Sequence, residues 1–363
     1  MRQADPDLRD GGALCAAEVR SAAHACQFPI VGLARAEPLD PGPLRHWLDR
    51  GYAADLSSMR ARIAERLDPG VIVPYAKTVL VLGIPYGPGK ALAGTHPVVA
   101  RYARGRDYHY AHRDRMRILR SKLRALAPSL RTYACVDSGA AMEKAWAERS
   151  GVGFMGKNGL VINHRYGSWF TLSLMVFDRA VDAYDEPAQR LCGSCERCLG
   201  ACPTVAFSSP GVVDARRCLS YHTVENHESI PGPIAASVGH RVFGCDVCQE
   251  VCPFNAGALP PGDPRQVARF VGMMNASNIA ALTQHEFDQL SVGTPLRRIG
   301  YHGLRRNACL SLGATGAHHA RALLERLARD DASNLVRDAA SWALRRLDGT
   351  ESGLVPTVRA GDR

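Results

Sequence analysis

The chain has 363 residues, 46 % of them hydrophobic, so it can bury a substantial core and is long enough for two or three domains. It contains no run of about 18 apolar residues, which excludes a membrane-spanning helix. Met1-Arg2-Gln3-Ala4-Asp5-Pro6 carries neither a hydrophobic signal core nor a twin-arginine pair, so a soluble, reducing, cytoplasmic setting is expected. Its 45 basic and 35 acidic residues leave a formal charge of +10, and the surplus is clustered. Arg101 to Arg131 holds ten Lys/Arg against Asp107 and Asp114, and Arg297 to Arg346 holds ten Arg against Glu325, Asp330, Asp331 and Asp338. Such runs are either solvated faces or the footprint of a polyanion such as RNA.

Residues 1–185 read as an α/β domain. Thr78 to Pro85 has the continuous aliphatic character of a buried strand. A basic helix is expected over Arg113 to Leu126, with Met116, Leu119, Leu123 and Leu126 at helical spacing. Thr132 to Val136 reads as a short strand, Met142 to Arg149 as a helix, and Trp169 to Phe177 as another strand. This alternation implies an open sheet covered by helices. Residues 186–258 form a cysteine-rich module, short on regular structure because metal ligation replaces a hydrophobic core. Pro260-Pro261-Gly262-Asp263-Pro264 is a linker by composition. In the remainder of 259–363, Leu304 to Gly313 resembles Leu335 to Leu344, with a helix at Ala317 to Ala328 between them. A helix pair recurring after about thirty residues is a HEAT-like pattern. Two such units are marginal alone and should pack against the cysteine module. Cys309 falls in the apolar stripe and reads as core.

Two features in the first half have competing readings. Gly151-Val152-Gly153-Phe154-Met155-Gly156-Lys157-Asn158 satisfies G-x-G-x-x-G, but a helix precedes it and the apolar Leu160-Val161-Ile162 follows. That is the reverse of the dinucleotide order, so nucleotide binding is rejected; the glycines are expected to let backbone approach a bulky ligand. Asp137 ends the Thr132–Val136 strand. It reads either as a cap on the following helix or as a buried carboxyl that delivers a proton during a reduction, and the residues alone favour the cap.

Eight of the twelve cysteines lie between Cys192 and Cys252. The first set is Cys192-x2-Cys195-x2-Cys198-x3-Cys202-Pro203; the second is Cys218, a long gap, then Cys245-x2-Cys248-x3-Cys252-Pro253. Cysteines at steps of three wrap one cubane, while the cysteine ahead of proline ligates the neighbouring cluster. One [4Fe–4S] cluster therefore takes Cys192, Cys195, Cys198 and Cys252, and the other takes Cys202, Cys218, Cys245 and Cys248. Zinc ribbons use two separated pairs and have no use for the crossed fourth ligand. A disulfide framework suits small secreted domains rather than this chain.

The order of motifs along about residues 48–350 resembles the epoxyqueuosine reductase family, cobalamin-dependent enzymes that complete queuosine in tRNA. The carriers are Arg101-Tyr102-Ala103-Arg104-Gly105-Arg106-Asp107-Tyr108-His109, Val136-Asp137-Ser138-Gly139, Glu143-Lys144-Ala145-Trp146-Ala147, Gly156-Lys157-Asn158, Tyr166-Gly167-Ser168 and Gly244-Cys245-Asp246-Val247-Cys248-Gln249. The resemblance implies three parts: an α/β corrinoid-binding domain, a ferredoxin-like two-cluster module and a HEAT-like helical tail suited to tRNA. It implies Asp137 as proton donor, Arg66 as a cobalamin contact, and Val161, Leu172, Ser220, Asp246 and Val247 as residues lining the corrinoid. It also implies reduction of epoxyqueuosine to queuosine in the anticodon loop, by a monomer fed by an external low-potential electron donor.

The chain departs from relatives at Ala100, where one branch has cysteine. Asp107-Tyr108-His109 approaches the corrinoid motif Asp-x-His-x-x-Gly but ends in His112, so His109 is not assigned to cobalt. The rival readings are a corrinoid reductive dehalogenase, typically exported and without a basic helical tail, and a non-catalytic ferredoxin-like electron carrier.

Overall fold

The computed structural model describes residues 12–87, 98–259 and 275–350. The Met1–Pro6 terminus and the proline-rich stretch 260–264 lie outside the described residues. Among the described residues no helix is long and apolar enough to cross a membrane.

The first part is built on four strands: β1 (Ile30–Arg35), β2 (Thr78–Pro85), β3 (Thr132–Cys135) and β4 (Phe170–Phe177). They form one sheet in the order β1-β2-β4-β3, with every pair antiparallel. All eight residues of β2 are buried, as a central strand covered on both faces must be. Register places Leu33, Leu80, Met175 and Ala134 in one row across the sheet, and Ala34, Val79, Val176 and Tyr133 in the next. Because side chains alternate, the rows face opposite ways. The first packs under helices α1 (Ala16–Ala25) and α2 (Tyr108–Leu126), the second against Trp146 and Ala147 of helix α3 (Glu143–Arg149).

The strands and α3 fall within a residue of their expected places. Helix α2 instead begins five residues earlier than its apolar stripe suggests, because Asp107 caps it by accepting the His109 N–H at 2.9 Å. Leu126, expected on that stripe, is exposed at the helix end. The α1 helix and strand β1 had no expectation.

The glycine-rich stretch is a hairpin, Phe154–Met155 pairing antiparallel with Val161–Ile162. A Cβ on Gly153 would meet the Ile162 carbonyl oxygen at 2.4 Å. That glycine therefore lets the hairpin close on itself, which corrects the expectation of a ligand approach at this position.

The cysteine-rich segment and the tail share one hydrophobic core. Leu219, Val224, Ile234, Val242 and Phe243 from the former pack with Leu304, Ala308, Leu324, Val336 and Ala343 from the latter. The longest tail helices are α4 (Gly300–Ala314), α5 (Arg321–Asp330) and α6 (Asn334–Leu347). Helix α4 approaches α6 so closely that a Cβ on Gly313 would lie 2.6 Å from Ala343 Cα. Cys309 is fully buried in this core, and burial pushes its thiol up to about 12.

Arg305 and Arg306 belong to a run read as a solvated or RNA-facing surface; the structure corrects this. Arg305 pairs with Asp331 and donates to the Ala280 carbonyl at 2.9 Å. Arg306, only 1 % exposed, donates to the carbonyls of His222, Asn226 and Glu228.

Candidate functional site

The eight cysteines fall into two groups around separate voids. Cys192, Cys195, Cys198 and Cys252 line one cavity of about 230 Å³. Cys202, Cys218, Cys245 and Cys248 line a larger cavity of about 510 Å³. No disulfide joins them. The crossing follows from local structure. Each cysteine ahead of a proline (Cys202, Cys252) lies just past the short turn of helix carrying its own motif, and the two helices, Arg197–Ala201 and Val247–Glu250, pack together.

The thiols report the same partition. Burial pushes Cys252 up, reinforced by the nearby sulfurs of Cys192 and Cys195. Burial pushes Cys248 well up, reinforced by Cys245, Cys218 and Cys202. Among the described residues no three His, Cys, Asp or Glu side chains converge on a point that would hold a single metal ion. Quartets opened around a void fit cubane clusters.

The larger cavity lies between the α/β part and the cysteine module, which are docked by a buried polar seam. Asn255 accepts the Ser168 N–H at 2.7 Å, and Gln249 donates to the Ser168 carbonyl at 3.0 Å. Gly167, with φ +57°, makes this approach possible, because a Cβ there would collide with the Asn255 side chain. Six of the seven residues singled out for the corrinoid line this one cavity: Asp137, Val161, Leu172, Ser220, Asp246 and Val247. The seventh, Arg66, does not. It donates to the carbonyls of Ser58 at 2.7 Å, Ala61 at 3.3 Å and Ala141 at 3.4 Å, and so braces the segment leading into α3.

The walls combine apolar side chains with a few buried polar ones. Burial pushes Asp246 up to about 6, and its carboxylate accepts the Arg101 N–H at 2.8 Å. Burial likewise pushes Glu143 up to about 7. The neighbouring Lys144 donates to the Gly159 carbonyl at 2.9 Å. Glu143 Oε1 and Asn158 Nδ2 are buried without a hydrogen-bond partner, and both residues line the cavity. Orphaned polar atoms of this kind ask for a ligand that brings its own donors and acceptors. A macrocycle rimmed with amides fits that demand, beside one cysteine quartet.

Asp137 lines the same cavity. It follows strand β3 on a turn with φ +52°, a left-handed conformation uncommon outside glycine. Its side chain is 44 % exposed, not buried as the proton-donor reading supposed. Nor does it cap α3, whose N-cap is Met142 without a side-chain bond. Instead Tyr108 Oη donates to its Oδ2 at 3.0 Å, Arg298 Nη1 donates to the same oxygen at 3.0 Å, and His109 Nε2 lies 3.7 Å away. Arg298 is also held by Glu225, at 2.8 Å.

Sequence reasoning missed Arg298, Glu225 and the roles of Tyr108 and His109. The motif containing Tyr108 and His109 was visible, but nothing local ties it to Asp137, or Arg298 to either.

Comparison with known proteins agrees with this geometry. Residues 191–255 match the family described as 4Fe-4S double cluster binding domain, so the chain carries two [4Fe–4S] clusters. Residues 66–138 match the family described as epoxyqueuosine reductase QueG. The epoxyqueuosine reductase of Gloeobacter violaceus is 39 % identical over 83 % of this chain and 97 % of its own. That of Xanthomonas campestris is 35 % identical over 94 % of this chain and 97 % of its own. A solved epoxyqueuosine reductase bound to an epoxyqueuosine-modified tRNA-Tyr stem loop superposes with TM-score 0.84 at 28 % identity, covering 91 % of this chain and 89 % of the other. A structure of the Bacillus subtilis epoxyqueuosine reductase, with its catalytic aspartate loop swung out of the active site, aligns with the same TM-score of 0.84 at 28 % identity, covering 91 % of this chain and 90 % of its own.

Proposed function

Because the chain belongs to the epoxyqueuosine reductase family, we propose that it reduces epoxyqueuosine to queuosine in the tRNA anticodon loop, using two [4Fe–4S] clusters and a cobalamin held in the 510 Å³ cavity. The observation that carries this reading is one cavity lined both by a cysteine quartet and by Asp137. When bound, the clusters supply electrons singly and the corrinoid directs them onto carbon.

The chain's own residues do the rest. Val161, Leu172, Ser220, Asp246 and Val247 line the macrocycle site, Asn158 and Glu143 offer it polar partners, and Arg66 braces the loop beneath. Asp137 delivers a proton to the departing oxygen, with Tyr108 and Arg298 fixing its carboxylate. Its partial exposure in the free protein suits a group that the substrate nucleoside covers.

The crossed ligand sets, Cys192/Cys195/Cys198/Cys252 and Cys202/Cys218/Cys245/Cys248, follow the two voids. The tail, read as HEAT-like, would meet the tRNA stem through exposed arginines such as Arg297, which lines a neighbouring cavity together with Asp137. A monomer in the cytoplasm, fed by an external low-potential donor, completes the reading. A plain electron carrier has no use for the large cavity or for the aspartate facing it.

The test is anaerobic purification followed by cobalamin addition. A change in the visible corrinoid spectrum, with queuosine formed in tRNA under a chemical reductant, is expected. Cluster absorption with no corrinoid uptake would overturn the reading.

A further inference from the structure

The reaction proposed above needs more protons than Asp137 holds. Removing an epoxide oxygen as water breaks two carbon–oxygen bonds and forms one carbon–carbon π bond. It takes up two electrons, which the low-potential donor supplies through the clusters, and two protons. One carboxyl group releases one proton per loading, so the aspartate has to be reloaded within each turnover.

Three side chains stand around Asp137 Oδ2: Tyr108, Arg298 and His109. A guanidinium does not give up its proton in a protein. Burial, with the Asp137 charge adding to it, pushes the Tyr108 phenol far up, so Tyr108 donates a hydrogen bond without releasing the proton. The imidazole is left.

Resting on the proposed function, we infer that His109 is the relay that reloads Asp137 with the second proton, held in register by Asp107. The geometry is specific. Asp107 Oδ1 lies 2.7 Å from His109 Nδ1 and also accepts the His109 backbone N–H at 2.9 Å, so the residue that caps α2 also pins the ring. A carboxylate on Nδ1 selects the tautomer protonated there and leaves Nε2 as the nitrogen that takes and passes protons. Nε2 faces Asp137 Oδ2 at 3.7 Å, a gap closed by a small approach or one water. The Tyr108 ring stacks on the imidazole with centroids 4.3 Å apart, which limits its swing.

Both residues line a cavity of about 470 Å³, large enough to admit water. The charged groups facing it are Asp107 and His109 from α2, Asp137 from the sheet edge, Glu225 from the cysteine module, and Arg297 and Arg298 from the tail. Arg113, one turn along α2, donates to the His109 carbonyl.

The proton count then balances. Asp137 gives its proton as the first carbon–oxygen bond breaks. The imidazolium passes its Nε2 proton to the Asp137 carboxylate, and Asp137 gives that proton as the hydroxyl leaves as water. Neutral His109 then takes two protons in succession from solvent, passing the first to the Asp137 carboxylate and keeping the second, so both groups are reset and the two protons consumed come from solvent. This also gives the Asp107-Tyr108-His109 motif a role that does not involve cobalt.

The experiment uses protein loaded with clusters and cobalamin and saturating epoxyqueuosine-containing tRNA, in single turnover. His109→Ala should slow queuosine formation by roughly 10²-fold, in the range for a positioned acid–base group. Its tRNA Kd and its cluster and corrinoid spectra should match wild type. Added imidazole should restore the rate in proportion to its concentration. His109→Asn, which can still bond Asp107 but cannot relay, should stay slow. In protein that holds its clusters but no cobalamin, ¹⁵N NMR should show neutral His109 protonated at Nδ1, and Asp107→Asn should shift that tautomer. A wild-type rate in His109→Ala, recovery in His109→Asn without imidazole, or a neutral ring protonated at Nε2 would overturn the relay alone. A wild-type protein that makes no queuosine would overturn the proposed activity and the relay with it.

Discussion

Arg306 offers the sharpest test of how the tail serves the site. Its guanidinium reaches the carbonyls of His222 and Asn226, both at 2.8 Å, and that of Glu228, and it is braced by Asn307 Oδ1 at 2.8 and 3.0 Å. His222 lies on the short helix Leu219–Val224, which also carries Ser220 and directly follows Cys218. Arg306 therefore staples the segment that presents one cysteine of the second quartet and one wall of the large cavity. Arg306→Met keeps most of the volume and removes every donor. Three buried acceptors, the carbonyls of His222 and Asn226 and Asn307 Oδ1, are left unsatisfied at about 1–3 kcal/mol each, partly offset because a buried charge no longer has to be desolvated. A net loss of about 3–5 kcal/mol is expected, which lowers the melting temperature by roughly 10 °C in a chain of this size. The assay is anaerobic thermal melting by circular dichroism at a fixed scan rate, with iron and sulfide content measured on the surviving fraction. The folded fraction should bind tRNA with wild-type affinity. A variant that melts within about 1 °C of wild type but loses tRNA affinity would refute the staple and return Arg306 to an RNA-facing role.

Three further outcomes follow from the site. Asp137→Asn should lower single-turnover queuosine formation by at least ~100-fold while clusters, corrinoid uptake and melting temperature persist, because Asp137 caps no helix; near-normal product would remove its proton-donor role. Wild-type protein should carry about eight iron and eight sulfide per chain, and Cys252→Ala should damage the cluster of Cys192, Cys195 and Cys198 while sparing that of Cys245 and Cys248; electron paramagnetic resonance showing the reverse would exclude the crossed assignment. Burial raises Glu143 from 4.5 to about 7, so its contribution to stability is complete below about pH 4.5 and is lost as pH rises through 7. Glu143→Gln should flatten that part of the melting-temperature profile in cofactor-free protein, and an unchanged slope would place the titration elsewhere.

What could be read along the chain was what local chemistry dictates. Three cysteines at steps of three and a fourth before proline separate to line two cavities because that geometry is a matter of a few residues of backbone. Thr78–Pro85 was legible because a strand buried on both faces must be apolar throughout. The six cavity-lining residues came from motif resemblance, and the fold brings them together from positions 137 to 247.

Tertiary structure decided the rest. Asp137 takes its partners from residues 29 and 161 positions away, Tyr108 and Arg298, and no periodicity links such distant positions. Composition also misled at Arg305 and Arg306. A run of arginines reads as solvated because burying a guanidinium is costly. Here the cost is offset by carbonyls at a helix end and by Asp331, groups that only the folded chain brings within reach. A sequence displays the charge of a side chain but not the partners that make its burial possible.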